Sequence, residues 1–214
     1  MAPPIPTPIL RIIHIDNLQI LLRRQALHAW NHTPKDGLVY RTIHDVEVQE
    51  KRHLRCVRRG PGGVIHDYVS FYFGPLSPMM LKLKTGQVSG YDEGQEPLIY
   101  LHSHAQAVQR AGLGFVLSDG HGLANFTQWF DDLADLGKVD WDMVGQRYWA
   151  DTIEDNDRQR RKQAEFLVHR TMPLELIHEI VVLNQPMKAS VEAILGQFPG
   201  VHQPPVTIRP AWYY

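Results

Sequence analysis

Residues 60–80 read GPGGVIHDYVSFYFGPLSPMM, and this stretch decides how the rest of the chain is parsed. Its centre, DYVSFYF at 67–73, is rich in the aromatic and β-branched residues that suit a pleated, half-buried backbone. GPGG before it and GP after it punctuate both ends as turns. Outward from this strand, ILRIIH at 9–14 reads as another buried strand. Asp16 or Asn17 is placed to cap a helix running to about residue 30, with Leu18, Leu21 and Leu22 on one face. In the other direction, residues 79–84, 98–102, 114–119 and 165–169, and the closing VTIRPAWYY, read as short strands. Residues 104–111 (ended by Gly112), 123–135 and 187–198 read as helices, and ELIHEIVVLN as a helical turn leading into a strand. Many short strands and a few helices, without regular β-α-β alternation, predict an α+β fold.

Composition narrows the class. A chain of 214 residues can bury a core without staples, and residues 1–9 read as a short Pro-rich leader before one domain at 10–214. The net charge of −1 argues against a strongly basic nucleic-acid binder and against an acidic tail. There is no apolar run of membrane-spanning length and no signal-peptide pattern, and the single cysteine, Cys56, can form no internal disulfide. A reducing cytoplasm is the expected compartment.

The near-neutral balance hides segregation. Residues 51–64 carry Lys51, Arg52, Arg55, Arg58 and Arg59 and no acidic residue. Residues 131–157 carry nine acidic residues against Lys138 and Arg147, and RQRRK follows at 158–162. Each basic block reads either as a solvated face or as part of a phosphate-binding surface. The polar stretch 137–162 is long and poorly periodic, as functional loops are.

No phosphate loop, dinucleotide fingerprint, nucleophile elbow or metalloprotease motif is present. His102 and His104 share a strand face but have no convincing third ligand, so no metal is expected. Four places remain as candidate sites. His14-Ile15-Asp16 ends a strand at a helix N-terminus, where an imidazole can donate to a ligand hydroxyl. Arg52 is a candidate clamp for phosphate or carboxylate. His121 stands between glycines in DGHG, after a strand. Glu165 opens the apolar strand EFLVH, where a carboxylate has lowered solvation and a fixed direction. Each has a plain structural alternative: a cap, a solvated face, a turn, an edge residue.

Taken in order, HIDNL, EKRHLR, GPGGVIHDYVSFYFGPLSPMM, LSDGH, DLADLGKVDW and QAEFLVHRTMP resemble the DarT toxins, bacterial DNA ADP-ribosyltransferases, from about residue 10 to 214. The resemblance implies an ADP-ribosyltransferase fold with two small, packed, mainly antiparallel sheets around an NAD cleft. It implies NAD as co-substrate and transfer of ADP-ribose to a base of single-stranded DNA; the branch closest to this sequence modifies thymidine, another guanosine. It also implies a macrodomain antitoxin, DarG, as partner, and we expect a monomer with no membrane association.

Residue by residue, the resemblance places His14, Ile15 and Asp16 at the NAD-binding strand end, with His14 on the nicotinamide-side ribose, and Asn31 at a polar position touching NAD. Arg52 matches the essential arginine, serving both NAD and catalysis, His121 the substrate-positioning histidine, and Glu165 the catalytic glutamate. Residues of about 122–164 match the loop that presents substrate, and one or more of Tyr68, Phe71, Tyr72 and Phe73 wall the nicotinamide pocket. The sequence departs from the family at Ser70, where a proline is common, at Leu76, where an arginine is common, and near Gln25, where a glycine is common. Along the long loop, charge alone expects 138–157 to turn away from DNA and 158–162 to face it. The rival readings are an ADP-ribosyltransferase acting on RNA or protein, and a non-catalytic nucleic-acid-binding module.

Overall fold

Strand β1 (Pro8–His14) alternates between two apolar faces, and that double burial places it inside a sheet rather than at an edge. The computed structural model describes all residues from Met1 to Tyr214. After β1 come α1 (Asn17–Arg24), β2 (Ala26–His28), α2 (Val46–Leu54), β3 (Tyr68–Tyr72), α3 (Pro78–Lys84), β4 (Leu98–His104) and α4 (Ala105–Arg110). The second half holds β5 (Phe115–Ser118), β6 (Trp129–Phe130), α5 (Trp141–Gly145), α6 (Arg158–Lys162), β7 (Glu165–His169), β8 (Thr171–Pro173), β9 (Glu179–Val182), α7 (Gln185–Leu195) and β10 (Val206–Ile208).

Eight strands form one sheet in the order β10-β9-β4-β1-β3-β7-β5-β6, and β2 pairs with β8 in a separate ribbon. Only β10 and β9 run parallel. The two small sheets expected from the sequence are therefore halves of one, and the seam between them is thin. β1 pairs with β4 along its whole length but meets β3 at a single register position, Leu10 opposite Tyr72. The mixed α+β class stands as expected.

Register sorts the side chains. One face carries Ile9, Ile13, Val69, Phe71, Phe73, Phe166 and Val168 into a 32-residue core, which supplies most of the buried apolar area. The other face carries two smaller clusters, one around Leu10, Ile12 and Tyr100, the other around Tyr68, Val116 and Leu167. Between them, on the same face, lie Ser70, Tyr72 and Glu165. A gap in the apolar surface, filled by polar side chains, sits over the seam.

Several local expectations change. The first helix stops at Arg24, not near residue 30, because Gln25 is left-handed (φ 51°) and the chain turns back into β2. Residues 79–84 are helical: the Ser77 hydroxyl accepts the Met80 N–H at 3.2 Å, and Pro78 pre-sets the first turn. The alternation in MMLKLK misleads, since it is Met80 and Leu83 that are buried, at helical spacing. Residues 123–135 form no long helix. They turn into β6 and then a 3-10 helix from Leu133 to Lys138, capped by the Asp132 carboxylate on Ala134 N–H.

The basic end of the long loop also differs from expectation. Arg160 pairs with Asp119 and Asp157, and Arg161 with Asp140, Asp155 and Asp157. Arg158 donates to the carbonyls of Ala150 and Tyr148, and buried Lys162 to those of Val144 and Gln146. RQRRK is thus neutralised by the acidic stretch before it and does not face outward as a phosphate-binding surface.

Candidate active site

Glu165, 2% exposed, begins β7 exactly where the polar gap lies opposite Tyr72. Its backbone N–H donates to Ser118 Oγ at 3.1 Å, and that hydroxyl donates to Gly120 O at 2.7 Å. Its carboxylate accepts two bonds from Arg52, Nη1 to Oε1 at 3.1 Å and Nη2 to Oε2 at 2.7 Å, and a third from Gly122 N–H to Oε1 at 2.9 Å. Burial pushes the Glu165 carboxyl upward, but the Arg52 charge and hydrogen bonds, His121 and the Gly122 N–H outweigh it, so the group is held below the usual carboxylate range.

Arg52 reaches Glu165 from the last turn of α2, whose start is capped by Asp45 accepting Val48 N–H at 3.3 Å. Arg52 Nη2 also donates to Ser70 Oγ at 2.8 Å, so the residue that departs from the family proline gives the arginine a second anchor. Burial disfavours the Arg52 cation and Glu165 favours it; the net direction is upward, so it stays charged. Breaking such a pair from one side leaves an uncompensated buried charge.

The DGHG turn closes over the carboxylate. A Cβ on Gly120 would collide with the Arg160 guanidinium, and one on Gly122 would lie 3.2 Å from Glu165 Oε1 and 3.0 Å from the Trp129 ring. His121 is fixed through its backbone: its N–H donates to Arg160 O at 2.9 Å, and its carbonyl accepts from Thr127 Oγ1 at 2.8 Å. The imidazole itself makes no hydrogen bond. Burial lowers its pKa, against the pull of Glu165, so it is neutral at pH 7.

His14 lies on the same sheet face as Glu165, at the other end of the gap, and is 2% exposed. Its Nδ1 accepts Asp16 N–H at 3.2 Å, which leaves the proton on Nε2. Nε2 is buried with no hydrogen-bond partner; the nearest carboxylate, Glu93, stands 3.5 Å away. Asp16 does not cap α1 with its side chain. It pairs instead with Arg41 at 2.7 Å, and Arg41 also pairs with Glu93. Ile15 faces the large core, and its N–H donates to Pro97 O.

A cavity of about 460 Å³ runs beneath residues 38–44, with Arg11, Asn17, Trp30, Tyr40, Arg41 and Arg52 in its wall. A second chamber of about 150 Å³ holds Glu165, Tyr72 and Met79, and the two share Arg11, His44, Arg52 and Ser70. Of the aromatics at 68–73, Tyr72 faces Glu165, while Phe71 and Phe73 belong to the large core.

The structure therefore brings Arg52, Glu165 and His121 together, with His14 along the same face. It does not place His14, Ile15, Asp16, Asn31 or His121 in the wall of either cavity, and Asn31 is exposed and donates to Asp67 Oδ1 at 2.9 Å. Sequence reasoning missed Arg11, which donates to Ser70 O at 2.9 Å, and the Arg41–Glu93 pair. No local pattern marks either, because each depends on which strands and loops the fold brings together. No group of three or more His, Cys, Asp or Glu side chains is arranged to hold a metal.

The chain that carries this arrangement, a buried glutamate clamped by arginine beside a cation-lined cavity, matches a known family. The family described as "ssDNA thymidine ADP-ribosyltransferase, DarT" covers residues 10–214. The chain belongs to the DarT family. As a member it is an NAD-dependent DNA ADP-ribosyltransferase. The DNA ADP-ribosyl transferase of Thermus sp. (strain 2.9) is 45% identical over 211 residues, 99% of this chain and 98% of that protein. The structure of Thermus sp. 2.9 DarT in complex with ADP-ribosylated ssDNA superposes with a TM-score of 0.93 at 44% identity, covering 100% of this chain and 99% of that one. The same protein in complex with NAD+ gives a TM-score of 0.89 at 43% identity, with both chains fully covered.

Proposed function

We propose that this DarT chain moves ADP-ribose from NAD to thymidine in single-stranded DNA, with Glu165 as the catalytic carboxylate. The observation that carries the reading is the bidentate Arg52–Glu165 pair where the two chambers meet. The residues suit NAD: His14 offers a buried, unpartnered Nε2–H to a ribose hydroxyl, and Arg11, Arg41 and Arg52 supply positive charge for a diphosphate. The long apolar wall, including Leu21 and Leu27, suits a purine.

When bound, NAD supplies the ADP-ribosyl group, and its ribose carbon becomes electron-poor as nicotinamide leaves. Glu165 then holds a ribose hydroxyl and stabilises the positive charge, in a site from which water is largely excluded. Tyr72 walls the chamber beside it. The thymine N3 forms the new bond to that carbon and must lose its proton. Arg52, held as a cation, is no base; ionised Glu165 accepts the proton directly or through a water. Arg52 orients the base and the cofactor, and neutral His121, above Glu165 on the DGHG turn, positions the target. Asp16 and Ile15 hold the strand end that aims His14, and Asn31 braces the mouth through Asp67.

The domain at 10–214 acts as one unit in this reading, with about 122–164 presenting DNA. The substrate places the reaction in a bacterial cytoplasm, and no helix is long and apolar enough to cross a membrane. The counterpart is a macrodomain antitoxin of the DarG type. Thermosipho africanus DarTG in complex with ADP-ribose shares the fold, with a TM-score of 0.74 at 17% identity.

The test is incubation with NAD and separate pools of DNA, RNA and protein, followed by mass spectrometry of each. Modification of thymidine in DNA is expected. Label on RNA or protein alone would favour the first rival, and NAD left intact in every pool would favour a non-catalytic binder.

A further inference from the structure

Arg52 and Arg55 stand one helical turn apart at the end of α2, yet only Arg52 touches Glu165. Arg55 is half-buried and directed at the turn whose Gly122 N–H meets the same carboxylate. Its Nε donates to Gly122 O at 3.1 Å and its Nη2 to Ala124 O at 2.8 Å. Its own backbone is fixed, since Arg55 O accepts Ile65 N–H at 3.0 Å. The residue it grips, Gly122, is the one whose N–H donates to Glu165 Oε1 at 2.9 Å. We propose that Arg55 is a positioning residue: by holding the carbonyls of Gly122 and Ala124 it aims the Gly122 N–H at Glu165, so that the carboxylate keeps a fixed donor when Arg52 yields to substrate. This rests on the reading of Glu165 as the catalytic carboxylate.

The physical need is plain. Glu165 already accepts three bonds, two of them from Arg52, so a ribose hydroxyl entering this crowded carboxylate competes with its donors. Arg52 sits on a long side chain and can swing; the Gly122 N–H belongs to backbone and cannot, provided the turn is anchored. Arg160 anchors the front of that turn through His121 N–H, and Arg55 anchors its back. The two bonds leave Arg55 from separate nitrogens, Nε and Nη2, in the fixed plane of one guanidinium, and the single nitrogen of a lysine cannot reproduce both directions from this position.

The charged and titratable groups around Glu165 are Arg52 from α2, Tyr72 from β3 and His121 from the turn. Arg11 from β1 and Lys82 from α3 act on these neighbours. None of their side chains bonds the Arg55 guanidinium, and Arg55 meets Arg52 only through its backbone N–H on Arg52 O, which a side-chain substitution leaves in place, so a change at Arg55 reads out through the Gly122 N–H.

The experiment compares Arg55→Ala and Arg55→Lys with Arg23→Ala, an exposed arginine on α1 without a partner. A lost hydrogen bond to a charged group corresponds to roughly a tenfold or greater fall in kcat. That fall is expected in both Arg55 variants, with KM for NAD unchanged and no rescue by lysine. The acid limb of the kcat profile should move to higher pH, and the Gly122 amide proton should shift upfield in a ¹H–¹⁵N spectrum. Unchanged kcat, rescue by lysine, or a lower kcat with the acid limb and amide shift in place would each overturn the proposal. Should these variants fail to fold, Arg55→Gln, which keeps a shorter amide donor, takes their place, and an unmoved acid limb and Gly122 amide shift there would overturn the proposal. Glu165→Gln is assayed alongside: full turnover there would sink the catalytic reading itself, independently of Arg55.

Discussion

Two basic blocks of similar composition, 51–59 and 158–162, have opposite fates in the folded chain. In the first, Arg52 and Arg55 turn inward to the carboxylate and its turn, while Lys51, Arg58 and Arg59 remain exposed without ion-pair partners. In the second, every cation is engaged by carboxylates or carbonyls of the preceding acidic loop. The reason is the path of the chain. The loop before RQRRK folds back and sets Asp140, Asp155 and Asp157 against Arg160 and Arg161, whereas Glu47 and Glu50, just ahead of 51–59 in the chain, lie on α2 itself and pair with none of that block's cations. Density of charge along a sequence therefore says little about charge available to a partner. The first block turns two cations onto Glu165 and its turn and leaves three exposed; the second fastens the loop.

The largest expected effect breaks the inward half of the first block. Glu165→Ala and Arg52→Ala should each lower transfer by about 10²–10³-fold or more while Glu165→Ala keeps most NAD affinity, as single-turnover assays and calorimetry would show. Arg52→Ala should also cost stability at pH 7, about 3–5 kcal/mol, because it strands a buried carboxylate. The sign can be checked by pH. In the wild type Glu165 is held below its ordinary value, so its stabilisation is present above that value and fades as pH falls through the lowered one. In the variant burial is opposed only by His121 and the Gly122 N–H and pushes the carboxyl up, so its penalty is present at neutral pH and relieved on acidification. The gap between the two proteins in denaturant melts should therefore shrink near pH 4; an equal gap at pH 7 and pH 4 would mean that Glu165 is not the stranded group.

The ease of reading the first block and the difficulty of the second have the same origin. Strands β1, β3 and β7 were legible because alternation and turn punctuation are local, and Glu165 and His14 stand out at their ends. The helix at 78–84 was not, because two lysines in MMLKLK imitate strand alternation while the Ser77–Pro78 cap decides for helix. Residues 123–135 carry enough apolar side chains to imitate an amphipathic helix, but Asp119 and Asp132 bind backbone N–H groups and set turns. The resemblance puts Asn31 at the cofactor, yet its amide is committed to Asp67 across the fold. Long-range partners such as Arg41 with Glu93 depend on topology, which residue order alone does not carry.

The next effect down lies in the second block. Arg160 is braced by Asp119 and Asp157 and lies over the exposed Phe126 ring. Arg160→Ala should cost about 2–3 kcal/mol, since it leaves part-buried Asp119 without its cation and Asp157 with Arg161 alone, 3.5 Å away. A double-mutant cycle with Asp119→Ala should return a coupling energy well above that of an exposed pair. A cycle near zero would make RQRRK a surface block after all.

Smaller still is a titration within the same clasp. The buried Lys162 ammonium is pushed down to about 8 by desolvation. A lysine lowered on folding binds fewer protons than its unfolded counterpart, so stability is reduced while it is charged and rises as pH climbs through its folded value. Between pH 8 and 9 the wild type should gain about 1 kcal/mol relative to Lys162→Met, whose side chain cannot titrate. Parallel curves for the two proteins would show that Lys162 is solvated in solution.

The smallest expected effect tests the comparison most directly. Binding to single-stranded DNA releases counterions in proportion to the phosphates neutralised, and each cation that meets one contributes about 0.7 to the log–log salt slope. Replacing Arg58 or Arg59, exposed and unpaired beside the glycine-rich turn at 60–63, should reduce that slope by about 0.7 each. The same substitution at Arg158 or Arg161 should leave the slope where it was, since those guanidinium groups already face carbonyls or carboxylates and release no counterion. Binding to a thymidine-containing oligonucleotide is measured by anisotropy across a salt series, with the Glu165→Ala background preventing turnover. NAD affinity should be far less salt-sensitive, because its cations line a cavity screened from bulk ions. Equal slope changes from both blocks would mean that the acidic loop releases RQRRK when DNA arrives, and the clasp would then be a state of the free protein only. A change confined to 158 and 161 would reverse the assignment of the two blocks and carry the DNA path over the loop instead of past α2.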